Sequence, residues 1–76
     1  MDLRTAITKR VNDLLKQSNT TRYAISKKIL VSQQILKYVV EGKSGDLGVF
    51  TVAQIASGFG LTLAQFFDDE IFENVI

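Results

Sequence analysis

The stretch that most constrains this chain is residues 22–42, RYAISKKILVSQQILKYVVEG. It divides into two short helical patterns around Leu30, Val31 and Ser32. Ile25 and Ile29 are four apart, so they share one helix face. Leu36 and Val39 are three apart and share another, with Ile35 and Val40 flanking them. Val31 falls between the two sets and is placed to plug the corner. Ser32 is a good N-cap for the second helix, because its hydroxyl accepts an orphan backbone N–H. Gly42 suits the position just past that helix, where a left-handed residue closes the last turn. Two helices with this spacing predict a helix-turn-helix, whose second helix is offered to a DNA major groove.

These residues resemble the helix-turn-helix of the phage Cro and lambda-repressor-like (Xre) family, and the resemblance extends over residues 11–68. Ile25, Ile29, Val31, Leu36 and Val39 fill the motif's apolar positions, and Ser26 its small one. The family usually has Gly at the turn, where this chain has Leu30. Leucine is disfavoured at positive φ, so either the turn is rebuilt or the first helix runs on before bending. The resemblance implies an all-α, compact five-helix lambda-repressor-like domain with a central helix-turn-helix. It implies a bacterial or phage protein acting in the cytoplasm. The family's base-facing positions fall on Ser32, Gln33, Gln34, Lys37 and Tyr38, and its backbone-contacting position on Arg22.

The chemistry of those residues agrees. They lie opposite Leu36 and Val39 or lead into the helix, so packing leaves them free. A Gln amide pairs with adenine N6 and N7, and Lys donates to guanine O6 or N7. Tyr38 is suited to a thymine methyl or a phosphate. Arg22 heads the first motif helix, where exposed N–H groups add positive potential. Lys43, in the loop after the second helix, is a further phosphate candidate, with Lys27 and Lys28 nearer the flank.

Charge divides along the chain. All nine basic residues lie within positions 1–43, opposed there by Asp2, Asp13 and Glu41, which leaves +6. Positions 44–76 carry five acids and no base, a charge of −5. Such a split suggests a side facing a polyanion and a side turned away from it. At 76 residues the chain is long enough for one domain, which buries only about 60% of its unfolded surface. No apolar run approaches the ~20 residues of a membrane span. Without His or Cys, the usual zinc and general-base inventories are empty. No metal, cofactor or small-molecule ligand is expected, and an enzyme is not.

Taken in order, Asp2 caps a first helix over 3–17, with Ile7, Val11, Leu14 and Leu15 inward and Leu3 a possible addition. Lys9, Arg10, Asp13 and Lys16 are expected on the wet side. Residues 18–20 form a loop, and Thr20 or Thr21 caps a second helix over 22–29. Tyr23 leans over the core edge or lies along a phosphate strand. The third helix spans 33–41, and the Gly-rich GKSGDLG that follows is a loop. A fourth helix over 49–58 offers Val49, Val52, Ile55, Ala56 and Phe59 as its apolar face. Gly58 in its last turn costs about 1 kcal/mol of propensity, and Gly60 is placed to close it. Thr62 caps a fifth helix over 63–67, with Leu63, Phe66 and Phe67 inward. The tail, 68–76, holds Ile71, Phe72, Val75 and Ile76, and packs back on the fifth helix or pairs with a second copy. The acids Asp68, Asp69 and Glu70 lack the Gly-bearing loop of an EF-hand, so they suit solubility or repulsion from DNA. GKSG lacks the upstream Gly and preceding strand of a phosphate loop.

The leading expectation is therefore a sequence-specific double-stranded DNA-binding regulator, a Cro-like or prophage repressor. One such domain covers a single half-site, so a palindromic operator and a homodimer on DNA are expected. The alternative is a protein-interaction module, an antirepressor or adaptor on the same fold. The single Lys within the second motif helix keeps that alternative open.

Overall fold

Helix ends on this chain are written in its capping residues. The computed structural model describes residues 1–43 and 47–75, so Ser44, Gly45 and Asp46 of the expected loop, and Ile76 of the tail, lie outside the described residues. Among the described residues there are five α-helices and no strand: α1 Leu3–Gln17, α2 Arg22–Ser26, α3 Gln33–Glu41, α4 Val49–Gly58 and α5 Leu63–Phe67. A 3-10 turn, Glu70–Phe72, follows. None of these helices is long and apolar enough to cross a membrane.

Four of the five starts have a side-chain cap that satisfies an orphan N–H. Asp2 accepts from Thr5 N–H at 2.8 Å, Thr21 from Ala24 at 3.1 Å, and Ser32 from Ile35 at 3.1 Å. At α5 the cap is reciprocal: Thr62 Oγ1 accepts from Gln65 N–H, and Gln65 Oε1 accepts from Thr62 N–H. Helix ends are equally explicit. Asn19, Gly42 and Gly60 adopt positive φ, and Thr20, Lys43 and Leu61 each donate back five residues to Leu15, Tyr38 and Ala56 carbonyls. This is the Schellman closure, which gives terminal carbonyls a partner.

One core joins all five helices. Ile7, Val11 and Leu14 of α1 meet Ile25, Ile29, Val31, Leu36, Val39, Val52, Ile55, Ala56 and Phe66. Val31 closes the corner between α2 and α3, as the spacing predicts. Gly58 is part of this packing rather than a weak spot. A Cβ there would lie 2.9 Å from Ile29 Cγ2 and 3.0 Å from Ile25 Cγ2, so α4 approaches α2 as closely as it does because position 58 has no side chain.

Several expectations need correction. The second helix ends at Ser26, not 29. Ser26 Oγ donates to Tyr23 O at 2.7 Å, competing for the carbonyl that would accept the next helical N–H. Lys28 N–H then bonds Ile25 O three residues back, which tightens and turns the chain. Of the two alternatives raised by Leu30, the turn is rebuilt: Asn19 is the only non-glycine residue with positive φ among those described. Leu30 is 82% exposed, and its N–H donates to Gln54 Oε1 of α4 at 3.3 Å.

Arg10, expected on the wet side, is 8% exposed. Its Nε donates to Phe66 O at 2.8 Å, Nη2 to Gln65 O at 3.1 Å and Nη1 to Asp69 Oδ2 at 3.2 Å. The guanidinium thus satisfies carbonyls at the end of α5 and ties the tail to α1. Leu3 and Val49 are exposed and join no buried face. Within the tail, Phe72 stacks edge-on against Phe67 at 4.8 Å and lies 6.1 Å from Phe66, so this part packs on its own chain.

Candidate nucleic-acid interface

The outer face of α3 exists because its inner face is fully used. Leu36 and Val39 are buried, which turns Gln33, Gln34, Lys37 and Tyr38 to solvent. The helix is also fixed from behind. Thr8 Oγ1 of α1 donates to Val39 O at 2.9 Å, and Asn12 Nδ2 to Val40 O at 3.0 Å. Both lie in the last turn of α3, where helical N–H partners run out; Val39 O also accepts from the N–H of the cap residue Gly42 at 3.2 Å. α1 therefore sets both the depth of α3, through apolar contact, and its axial position, through two directional bonds.

At its other end, α3 faces the head of α2. Arg22, Gln33, Gln34, Lys37 and Tyr38 together line one open notch of about 290 Å³. Among the described residues no acidic side chain lines it, and neither Arg22 nor Lys37 is in an ion pair. Within the notch Gln34 Nε2 donates to Tyr38 Oη at 2.8 Å. Lys27, just past the end of α2, lies over the Tyr23 ring at 4.5 Å. Tyr23 is exposed rather than packed over the core edge.

The nine residues singled out from the sequence thus separate. Five converge on the notch. Ser32 sits just before it, its hydroxyl engaged as the α3 cap. Lys28 borders a different depression, lined also by Ser18, Asn19 and Gly60. Lys43 stands beyond the far end of α3 and pairs with Glu41 at 3.4 Å, an exposed contact of small energetic weight that still offsets its charge. Elsewhere Lys9 pairs with Asp13 and Arg10 with Asp69, which leaves the notch as a place where cation and amide act without an intramolecular acid.

The sequence reading missed Thr8, Asn12, Arg10 and Gln54. A signal was present for three of them. Thr8 and Asn12 are four apart and adjoin the Ile7–Val11 stripe, where a polar group is half-buried and needs a partner. Arg10 is itself in register with Ile7 and Leu14. Gln54 had no comparable mark.

The notch holds donors from Arg and Lys, and both donors and acceptors from two Gln amides and a phenol. That set complements phosphate oxygens and base edges. It contains no nucleophile–base pair or carboxylate pair. Asp69, within the acidic trio, is occupied by Arg10 and by Ile71 N–H. Compared with known protein families, curated proteins and solved structures, the chain matches none.

Proposed function

We propose that this chain is a sequence-specific double-stranded DNA-binding regulator of lambda-repressor-like fold, which places α3 in the major groove. The observation that carries this reading is the notch itself: five polar side chains, two of them cationic, gathered between the head of α2 and the exposed face of a nine-residue helix that two hydrogen bonds from α1 hold from behind. Gln33, Gln34, Lys37 and Tyr38 face base edges. Arg22 grips a phosphate as α2 abuts the backbone, with Lys27 alongside and Ser32 at the entry to the helix. Lys28 and Lys43 contribute to the field from either flank. Such a protein works in the cytoplasm of a bacterium or phage-infected cell.

A domain with principal extents of 32 × 23 × 20 Å covers one half-site. Two copies on a palindromic operator, with half-sites about 34–36 Å apart, supply specific affinity. The pairing surface expected from the tail with the fourth and fifth helices narrows to α4, because Phe72 packs within its own chain while Val49 and Phe50 are 69% and 67% exposed.

Selection of bound duplexes from a random pool tests the reading. Gln33→Ala is expected to relax preference at one base pair by about five- to 150-fold, the worth of a bidentate pair. Arg22→Ala is expected to weaken all duplexes alike and to flatten the salt dependence by about one contact. Exchange of these two outcomes would mean that α3 lies along the backbone and α2 in the groove.

A further inference from the structure

Gln34 and Tyr38 are joined before any ligand arrives. The Gln34 Nε2 group donates to Tyr38 Oη at 2.8 Å, across one turn of α3. That bond decides what each group still has to offer. The phenol oxygen is the acceptor, so its own hydrogen remains available for another partner. The Gln34 amide retains one N–H and the carbonyl Oε1.

We infer that Gln34 and Tyr38 read two adjacent base pairs as one unit, with Gln34 specifying adenine and Tyr38 rejecting cytosine beside it. This rests on the DNA-binding reading above. Adenine presents an N7 acceptor and an N6 donor in the major groove, which match the one N–H and one oxygen left on Gln34. Guanine presents two acceptors, O6 and N7, and would set O6 against Oε1. The Tyr38 hydrogen needs an acceptor at the next step. On the strand that Tyr38 faces, adenine N7, guanine N7 and O6, and thymine O4 all supply one, whereas cytosine there presents only its N4 donor, the acceptors of that pair lying on the guanine of the other strand. Lys37 and Arg22 line the same notch and supply charge without entering this code. Tyr38 acts here as both reader and positioning residue, since it holds the amide plane of Gln34.

The test uses the intact chain and fluorescently labelled duplexes of its selected sequence, varied through all four bases at the two steps. Gln34→Ala identifies the step that Gln34 reads, by loss of preference there. The wild type is expected to favour adenine at that step by about five- to 150-fold and to accept any base but cytosine at the neighbour. Tyr38→Phe is expected to weaken duplexes with adenine, guanine or thymine at the neighbouring step, so that cytosine there is no longer disfavoured, and to weaken the adenine preference at the Gln34 step severalfold. The side chain is exposed, so this variant keeps the fold, which circular dichroism confirms. A guanine preference at the Gln34 step overturns the inference, because it requires the Gln34–Tyr38 bond to run the other way. Equal weakening of every duplex by Tyr38→Phe also overturns it and makes the phenol a phosphate contact, and an unchanged profile makes the pair mere packing. Those three results all require a wild type that binds DNA; a wild type that binds no duplex removes the broader functional reading instead.

Discussion

Replacing Arg10 with methionine probes how the C-terminal third of the chain is held. Methionine keeps the aliphatic stem and removes the guanidinium. Three bonds vanish, to Phe66 O, Gln65 O and Asp69. Gln65 O still accepts from Asp68 N–H, so the main loss falls on the Phe66 carbonyl, beside a fully buried ring. Leaving such a carbonyl without its partner costs about 1–3 kcal/mol. The Asp69 bond adds at most about 1 kcal/mol, because that carboxylate is one-third exposed. Relief from burying a cation offsets part of this, for a net loss of about 1–3 kcal/mol. A chain of 76 residues has a total stability of about 4–11 kcal/mol, so the loss is large. It corresponds to a fall in Tm of about 5–20 °C. Urea denaturation followed by circular dichroism should show a lower midpoint at unchanged slope. Arg10→Lys should fall between, because a point charge does not reproduce the planar fork. Asp69→Asn should cost least. A methionine variant within about 0.5 kcal/mol of wild type, or a lysine variant equal to it, would refute the clamp.

Gly58→Ala should destabilise by up to about 2 kcal/mol: the helix-propensity gain is about 1 kcal/mol, while overpacking costs about 1–3 kcal/mol. Neither facing Ile methyl moves without rotating a stiff χ1; a gain in urea midpoint would contradict the close approach. Leu30→Gly should lower stability by about 0.5–1 kcal/mol through the unfolded chain, since φ at position 30 is not positive. A stabilised glycine variant would mean that the turn strains at leucine. At Asp2, the bond from Thr5 N–H holds the carboxyl below its ordinary value. Its contribution is therefore present above the ordinary carboxylate range and lost as pH falls through the lowered folded value. The Tm difference between wild type and Asp2→Ala should accordingly shrink on acidification from about pH 5 to about pH 2; a constant difference would show that the charge is not involved.

Periodicity and capping residues made most of the helical frame legible. Ile25, Leu36 and Val39 mark inward faces without ambiguity, and Asp2, Ser32, Thr62, Gly42 and Gly60 mark ends whose chemistry is local. Where a long-range partner decided the outcome, the pattern was insufficient. Arg10 reads as a solvated charge until Phe66 and Asp69 arrive from 56 and 59 residues away. Gly58 reads as a weak helix former until Ile25 and Ile29 are laid against it. The short α2 was lost differently, to a side-chain bond three residues back at Ser26 that competes with the helix. Within the candidate site, Arg22, Gln33, Gln34, Lys37 and Tyr38 were legible together because they sit on helix faces defined by buried neighbours. Lys28 and Lys43 were not, because the direction of a turn and an ion pair with Glu41 decide where their charges lie.

The most direct measurement is retention of random genomic duplex fragments in a mobility-shift assay across a series of salt concentrations. Retention at low salt is expected, with a log–log affinity slope near −0.9 for each neutralised phosphate, about −5 for six contacts. No retention even at the lowest salt would contradict it and favour a protein partner for the same surface.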